Sequence, residues 1–366
     1  MEVIKQQIIA RAIQIQQIPA PTFSEQERAA YIQQCFREEG LLDVSMDELG
    51  NVFGRLPGTG AVERPLVVSA HSDTVFPADT DLSIRSEPEK IFGPGLGDNS
   101  LGVAGLFGLL WLLRAEQVVL PGDLWLVANV CEEGLGDLKG MRAVVARFGD
   151  RPLAYLVLEG MALGSIFHRG LGVERYRITV RTPGGHSWGD YGTPSAIHEL
   201  AGLVARLVQL KLPRKPRTSL NVGIISGGTS INTIAAQASL ELDLRSEEPQ
   251  ALQDLVAQVE QLVSEAQRPQ VEFSREQIGQ RPAGQISPQH PLVHLAQRAL
   301  QAQGIPAHLA IGSTDANIPL SQNLPCICIG LAGGEGPHTL AEAIYPALLE
   351  KGMRQLLQVV QQAYHE

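Results

Sequence analysis

The sequence has no excess of basic charge. Its 366 residues include 29 Lys and Arg against 39 Asp and Glu, which gives a formal net charge of -10. Proteins that bind nucleic acid or an anionic membrane usually present a basic surface. The densest basic cluster, residues 211–217, is interrupted by Pro213 and Pro216 and is typical of a surface loop. We therefore expect neither nucleic acid nor a membrane as a partner.

The sequence also has little cysteine, no leader-like start and no long apolar run. The first residues, Met1 to Gln6, do not have the basic-then-apolar order of a signal peptide. The longest strongly apolar run, Leu101 to Leu113, is too short to span a bilayer and predicts a buried core helix. The four cysteines are scattered, so we expect free thiols and a reducing, cytoplasmic location.

One apolar stretch, Leu66–Ala70, leads directly into His71-Ser72-Asp73. Such a run predicts a buried strand, and α/β proteins carry ligand sites just beyond the carboxyl ends of such strands. If the chain stays extended, His71 and Asp73 point to the same face, where a carboxylate can orient a metal-binding imidazole. His-x-Asp alone is more often an ordinary polar turn, so the interpretation depends on the rest of the chain.

The order of predicted elements indicates two domains, one inserted into the other. Helices at 2–17 and 24–39, the second with a Ser24–Glu27 capping box, precede buried strands at 66–71, 124–130 and 153–158. Residues 172–275 then follow the β-α-β-β-α-β order of a ferredoxin-like module, closing with a short strand at 270–273. We expect an α/β fold: a doubly wound, mostly parallel-sheet domain formed by residues 1–170 and 285–366, with an inserted α+β domain at 171–284.

Ligand-type residues stand at the ends of the predicted strands or in adjoining loops. They are His71, Asp98, Glu132, Glu133, Glu159 and His338. Because doubly wound sheets gather such loops at one edge, these side chains are expected to converge. Two histidines and several carboxylates without cysteine suit two divalent ions, zinc first, with cobalt or manganese as alternatives. One of the adjacent glutamates could then bind metal while its neighbour takes a proton from water.

The motifs that carry these residues resemble a known family when taken together and in order. They are His71-Ser72-Asp73, Gly97-Asp98-Asn99, Glu132-Glu133-Gly134, Glu159, Gly184-Gly185-His186-Ser187 and Pro337-His338. The family is the co-catalytic zinc peptidases and amidohydrolases, which include glutamate carboxypeptidase, acetylornithine deacetylase, succinyl-diaminopimelate desuccinylase, aminoacylase and tripeptidase T. The resemblance covers nearly the whole chain.

The resemblance implies a role for each matching residue. His71 and Glu159 would hold one ion, Glu133 and His338 the other, and Asp98 would bridge them. Asp73 would orient His71, and Glu132 would act as general base and then as acid. The inserted module resembles the family's lid and dimerisation domain, and it would make the protein a homodimer. In it, His186 would stabilise the oxyanion, and Asn232 and Arg245 would hold the substrate carboxylate.

Three positions depart from the family pattern or leave alternatives open. Many members have Asp where Asn99 stands, a difference that leaves the ligand set unchanged. The family usually has Pro where Ala235 follows Ile234, which weakens the match around Asn232. Asp315 lies in a stretch that resembles a substrate-pocket loop, although a turn-forming Asp explains it nearly as well.

The function that we expect is hydrolysis of an amide bond in a peptide or an N-acyl amino acid with a free carboxylate. Carboxypeptidases and deacylases of this family tend to have Glu where Glu159 stands, whereas aminopeptidases tend to have Asp. An aminopeptidase or tripeptidase on the same scaffold is the alternative, followed by a non-catalytic binding protein. A nicotinamide-dependent dehydrogenase is disfavoured, because Asp98 would repel a phosphate from the glycine loop at residues 93–97.

Overall fold

The computed structural model describes residues 1–365 and contains two compact units. One unit comprises Met1–Gly170 together with Gly284–Glu366, and the other comprises Leu171–Ala283. The second unit is therefore inserted in the sequence of the first.

The first segment of the chain provides N-terminal helices and most strands of a large sheet. Its elements are α1 Glu2–Gln16, α2 Gln26–Glu38, β1 Leu42–Met46, β2 Val52–Leu56, β3 Leu66–His71, β4 Arg85–Ser86, β5 Ile91–Phe92, α3 Leu101–Ala115, β6 Leu124–Asn129, α4 Lys139–Phe148, β7 Tyr155–Glu159 and β8 Ser165–Gly170.

The inserted unit has its own strands and two long helices. Its elements are β9 Gly172–Arg181, β10 Gly185–His186, α5 Ala196–Leu207, β11 Thr218–Gly227, β12 Thr233–Ile234, β13 Gln237–Ser246, α6 Pro249–Ala266 and β14 Glu272–Arg281.

The last segment completes the first unit. Its elements are β15 Gly284–Gln285, α7 Pro291–Ala302, β16 His308–Gly312, α8 Asn317–Ser321, β17 Cys326–Gly330, β18 Gly333–Glu335, β19 Ala343–Tyr345 and α9 Leu349–Gln362.

The large sheet has a parallel centre and antiparallel edges. Its order is β1-β2-β6-β3-β7-β17-β8-β15, with β16 also paired to β8. Strands β6, β3, β7 and β17 run parallel to one another, whereas β2 and β8 join this group antiparallel. All six residues of β3 are buried, as expected for a strand covered on both faces. The predicted fold class is confirmed.

The register of the central strands brings their carboxyl ends to one edge of the sheet. His71 at the end of β3 lies opposite Asn129 at the end of β6. Glu159 at the end of β7 lies opposite Gly330 at the end of β17. The loops that follow these strands therefore start side by side, as the sequence predicted from the strand pattern.

Helix α3 is buried against this sheet and is the apolar centre of the first unit. By length and composition the segment Leu96–Ala115 could cross a membrane, but 89% of its apolar window is buried inside the protein. The prediction of a buried core helix at 101–113 is confirmed.

A small second sheet, ordered β18-β19-β5-β4, carries the loop with His338. This loop connects β18 to β19, and β19 pairs antiparallel with β5. Because β5 leads into the segment that contains Asp98, the sheet brings the loops of His338 and Asp98 together.

The inserted unit is a four-stranded antiparallel sheet in the order β11-β13-β9-β14, with α5 and α6 packed against it. Its apolar side chains form a separate core, which includes Ile178, Leu200, Leu242 and Leu255. This is the predicted ferredoxin-like arrangement. The last strand, however, is ten residues long and runs to Arg281, so the predicted short strand at 270–273 was wrong in extent. Polar residues on its exposed face hid its length.

The beginning of α2 differs from the prediction. Glu25 is the N-cap residue, and no side chain caps the helix. The carboxylate of Glu25 instead accepts a hydrogen bond from the backbone N–H of Cys131 at 3.1 Å. The predicted Ser24–Glu27 capping box was therefore wrong, because a long-range contact has replaced the local one.

Candidate metal centre and active site

The carboxylate of Asp98 lies between the two imidazoles that the sequence predicted as ligands. His71 Nε2 is 3.2 Å from Asp98 Oδ1, and His338 Nε2 is 3.0 Å from Asp98 Oδ2. Each oxygen of one carboxylate thus faces a different imidazole. This is the arrangement required of a carboxylate that bridges two ions.

Each imidazole has a second carboxylate beside it. His71 Nε2 lies 3.7 Å from Glu159 Oε2, and His338 Nε2 lies 3.1 Å from Glu133 Oε1. Ligand atoms of His71, Asp98 and Glu133 all lie within 4.8 Å of one another. The structure therefore brings all five predicted metal ligands together, in two groups that share Asp98.

The electrostatics of the cluster favour positive charge at both histidines. Hydrogen bonds to Asp98 and Glu133 raise the pKa of His338 to about 10. Burial opposes charge on His71, yet its contacts with Asp73, Asp98 and Glu159 raise its pKa well above the usual value. Burial also opposes charge on Asp98, but the hydrogen bonds of both imidazoles hold its pKa far below the usual range.

These donors suit two divalent metal ions. The set combines imidazole nitrogens with carboxylate oxygens and contains no thiolate. This combination of ligands binds zinc and similar ions. The three carboxylates would offset the charge of such ions. The residues present therefore fit a dinuclear centre.

Asp73 connects His71 to the loop of the predicted base. Its Oδ1 lies 3.5 Å from His71 Nδ1 and accepts the backbone N–H of Glu132 at 2.9 Å. Its Oδ2 accepts the backbone N–H of Glu133 and the hydroxyl of Thr22, both at 2.9 Å. Asp73 is fully buried, so one carboxylate fixes both the imidazole and the Glu132-Glu133 segment.

Glu132 lies on the loop after β6, next to Glu133 at the cluster, and both are buried. Its backbone is held by Asp73. This position beside the ligands is where a base acting on a water between the ions would stand. The role of Glu132 as general base stays a prediction.

Comparison with known families and proteins agrees with this geometry. The sequence profile of Peptidase family M20/M25/M40 matches residues 67–362. The chain belongs to this family. The resemblance proposed from the sequence is thereby confirmed, and the protein is a hydrolytic enzyme that acts on peptide or amide bonds.

Three of the proteins that are similar to this chain are a deacetylase, a tripeptidase and a metal-binding peptidase. Acetylornithine deacetylase of Klebsiella pneumoniae is 26% identical over 69% of this chain and 69% of its own length. A tripeptidase structure from Staphylococcus aureus superposes with a TM-score of 0.84 at 22% identity, covering 99% of each chain. YxeP of Bacillus subtilis, described as a dinuclear metal-binding peptidase of the M20 family, superposes with a TM-score of 0.71 at 16% identity, covering 100% of this chain and 99% of its own.

Asn99, which departs from the usual family residue, supports Glu159. Its Nδ2 donates to the carbonyl of Leu158, and its Oδ1 accepts the N–H of Gly160, each at 2.8 Å. Both neighbours of Glu159 in the sequence are thus held by one side chain. An amide suits this position because it can donate and accept at the same time.

Two further supporting residues were missed in the sequence. Glu25 accepts the N–H of Cys131, immediately before Glu132. The buried guanidinium of Arg28 donates to the carbonyl of Ser72 at 2.8 Å and to that of Ile18, so it fixes the chain between His71 and Asp73. An Arg on the apolar face of a predicted helix was the available signal for Arg28, whereas no local pattern marked Glu25.

Asp315 lies in a buried position within the first unit. Its Oδ2 accepts a hydrogen bond from Asn129 Nδ2 at 2.6 Å, and burial raises its pKa to about 7. Asn129 is the register partner of His71. The fully buried side chain of Asp315 therefore contacts the strand end beside His71.

In the inserted unit, the structure brings His186 and Asn232 into one loop cluster. The backbone N–H of Ser187 donates to the carbonyl of Asn232 at 3.0 Å, and His186 pairs with Thr233 in a short ladder. His186 Nδ1 accepts the N–H groups of Trp188 and Gly189, both at 3.2 Å. With Nδ1 accepting, the proton of the neutral imidazole is on Nε2, which can then donate to a substrate oxygen.

Arg245 does not share this cluster. Its guanidinium pairs with Asp243, with Nε 2.6 Å from Oδ1. Arg245 lies opposite Val173, whereas the chain enters the His186 loop after Arg181, at the other end of the same pair of strands. Eight residues of strand correspond to about 27 Å. The predicted roles of His186, Asn232 and Arg245 are not tested by these contacts.

Proposed function

We propose that the protein is a dinuclear metal-dependent hydrolase that cleaves the amide bond of an N-acyl amino acid or of a peptide at its carboxyl end. The observation that carries this proposal is the Asp98 carboxylate, which has a different imidazole at each oxygen. Glu132 stands on the adjoining loop with its backbone fixed by Asp73.

The proposed chemistry divides the work among the residues of the cluster. His71 and Glu159 would hold one ion, Glu133 and His338 the other, and Asp98 both. When bound, such ions lower the pKa of water toward neutrality and polarise a carbonyl. Glu132 takes a proton from the attacking water and delivers it to the nitrogen of the leaving amine. Asp73 keeps His71 in a fixed orientation throughout.

We propose zinc as the metal, with cobalt and manganese as alternatives. Two imidazoles and three carboxylates bind all three ions, and zinc favours mixed nitrogen and oxygen ligands at low coordination number. Elemental analysis of the purified protein after mild dialysis tests this. We expect about two zinc-class ions per chain. A protein that contains no such ion would contradict the dinuclear assignment.

Carboxypeptidase or deacylase activity is favoured over aminopeptidase activity by Glu159, because members of the first two groups tend to have Glu at this position. The similarity in sequence to acetylornithine deacetylase supports the same choice. The similarity to the tripeptidase structure concerns the fold and does not bear on the choice. A panel of N-acetyl amino acids, dipeptides and tripeptides, each with a free and an amidated carboxyl end, separates carboxypeptidase or deacylase activity from aminopeptidase activity. We expect turnover only of substrates with the free carboxylate. Equal turnover of free and amidated forms would contradict the proposal.

We propose that the protein acts as a homodimer formed through the inserted unit. Strand β11 is an edge of its sheet and exposes Ile224 and Ile225. In loops of the same unit, Trp188, Tyr191 and Ile231 are 87%, 89% and 103% exposed. Open strand edges and apolar patches of this kind favour pairing with a second copy.

The separation of His186 from Arg245 supports the same assembly. At about 27 Å along one pair of strands, both groups cannot reach a single small substrate from one chain. If both act on the same substrate, one of them must come from the partner, and the family resemblance assigns that part to His186. Analytical ultracentrifugation of wild type and of an Ile224→Lys/Ile225→Lys variant tests the interface. We expect a dimer that the variant dissociates, whereas a monomeric wild type would contradict the assembly.

We also propose a cytoplasmic location, because all four cysteines are free thiols and reducing compartments keep thiols in this state. Fractionation of the source cells with an antibody to the protein checks this. Recovery in an exported fraction would contradict it.

A further inference from the structure

Glu342 is a buried carboxylate that the chemistry above does not use, yet it contacts the Asp98 segment at several points. Its Oε1 accepts the backbone N–H groups of Gly97 at 2.6 Å and Asp98 at 2.9 Å. Its Oε2 accepts the N–H of Gly95 at 3.0 Å. The side chain is fully buried, so water does not compete for these donors.

The backbone of Glu342 adds a fourth contact to the same segment. Its carbonyl accepts the N–H of Gly93 at 3.0 Å. The segment from Gly93 to Asp98 is therefore attached to one residue of the β18–β19 loop. Donors that would otherwise be buried and unpaired are satisfied in this way.

The conformation of the Asp98 segment explains why it needs outside support. Gly95 has a left-handed φ of 71°, and Asp98 has φ -115° and ψ 91°, which is not helical. The segment is followed by α3, whose regular hydrogen bonds begin only after Asp98. The N–H contacts with Glu342 thus hold the backbone from which the Asp98 carboxylate projects.

The same loop that carries Glu342 also carries His338, four residues earlier. His338 contacts one oxygen of Asp98, while Glu342 holds the backbone of Asp98. One loop therefore supplies a candidate ligand and fixes the carboxylate that both ions would share.

We propose that Glu342 is a positioning residue for the metal centre: it holds the backbone of Asp98 so that the carboxylate serves both ions at once. This inference rests on the proposed function, because it assigns Glu342 a role toward the dinuclear site. A structural role alone would make Glu342 important for folding but would leave the metal affinity of the folded protein unchanged.

The variant Glu342→Gln tests the proposal with little change of shape. The amide oxygen can still accept from Gly97 and Asp98, but the amide nitrogen then faces the N–H of Gly95, so two donors meet. Glu335→Gln is the matched control, because Glu335 is on the same hairpin and its carboxylate pairs at the surface with Lys90 and Tyr345. Glu342→Asp keeps the charge but shortens the side chain.

The measurement is metal binding by the demetallated full chain, titrated with zinc in competition with a coloured chelator. Removing a group that orients metal ligands typically costs 10–100-fold in metal affinity, and we expect about that loss for Glu342→Gln. Glu342→Asp should fall between this variant and wild type, and Glu335→Gln should match wild type. Because the spectrum of bound cobalt follows its coordination geometry, the absorption spectrum of the cobalt-loaded Glu342→Gln protein should differ from that of wild type.

Thermal unfolding with and without zinc separates positioning from folding. If Glu342 positions the site, the gain in Tm on adding zinc should be smaller in Glu342→Gln than in wild type. An equal gain, with wild-type zinc affinity and cobalt spectrum, would overturn the inference while leaving the proposed function intact. A wild-type protein that binds no zinc-class ion would overturn the proposed function, and this inference with it.

Discussion

The cluster of predicted metal ligands in the first unit and the His186 loop of the inserted unit are held in opposite ways. Every predicted ligand of the cluster contacts another ligand, and Asp73 beneath them is fully buried with both oxygens bonded. The His186 loop bonds to itself and to the neighbouring Asn232 segment, and it leaves Trp188 and Tyr191 exposed. The difference indicates that the predicted ligands hold one another within a single chain, whereas the His186 loop presents exposed aromatic side chains.

Removing the metal should have the largest effect, because every step at the cluster depends on it. We expect dialysis against a strong chelator to abolish hydrolysis and zinc or cobalt to restore it. Activity before and after dialysis, measured with the metal content, checks this. Retention of full activity by protein shown to be free of metal would contradict a metal-dependent function.

Replacing the two adjacent glutamates separates binding from proton transfer within the cluster. Glu132→Gln should keep its metal and lose about 10²–10⁴-fold in kcat, the usual contribution of a positioned base. Glu133→Gln should instead lower metal occupancy, since its carboxylate contacts His338. Metal analysis and kcat of both variants test the division. Equal metal loss in both, or activity in both, would show that the roles are wrong.

Replacing His186 tests the predicted role of the exposed loop in the inserted unit. His186→Ala should lose about 10²–10³-fold in kcat, as expected when one oxyanion donor is removed. The proton on Nε2 is available for this donation because Nδ1 accepts two backbone N–H groups.

A mixing experiment shows from which chain His186 acts. Glu132→Ala and His186→Ala dimers are dissociated and reassociated together. With random pairing, about half of the dimers are mixed, and each has one working site of two if His186 acts across the interface. Activity should rise toward a quarter of wild type. No recovery, with subunit exchange verified, would mean that His186 acts within its own chain or not at all.

The smallest effect is expected at Arg245. A hydrogen-bonded charge is worth about 1.5–3 kcal/mol, so Arg245→Gln should raise KM for substrates with a free carboxylate by about 10-fold to 100-fold. Arg177→Gln is the matched control, because Arg177 lies on the same sheet and pairs with Glu241 and Glu276. Equal KM changes in both variants would assign Arg245 a structural role only.

The sequence by itself determined the fold class and the convergence of the ligands. Apolar strands ending in His71, in Glu132-Glu133 and in Glu159 are local patterns, and parallel strands must bring such ends to one edge. The order of strands and helices in the inserted unit was likewise readable from periodicity. Its last strand was underestimated, because an exposed polar face carries no apolar signal.

Only the tertiary structure decided which side chains support the ligands. Glu342 reaches Asp98 across 244 residues of sequence, and Glu25 reaches Cys131 across 106. At Ser24 the local rule for a capping box was misleading, since Glu25 is the N-cap residue and its carboxylate makes a distant contact. The physical reason is that strands and helices follow from the spacing of neighbouring residues, whereas a buried N–H accepts any carboxylate that folding brings within reach.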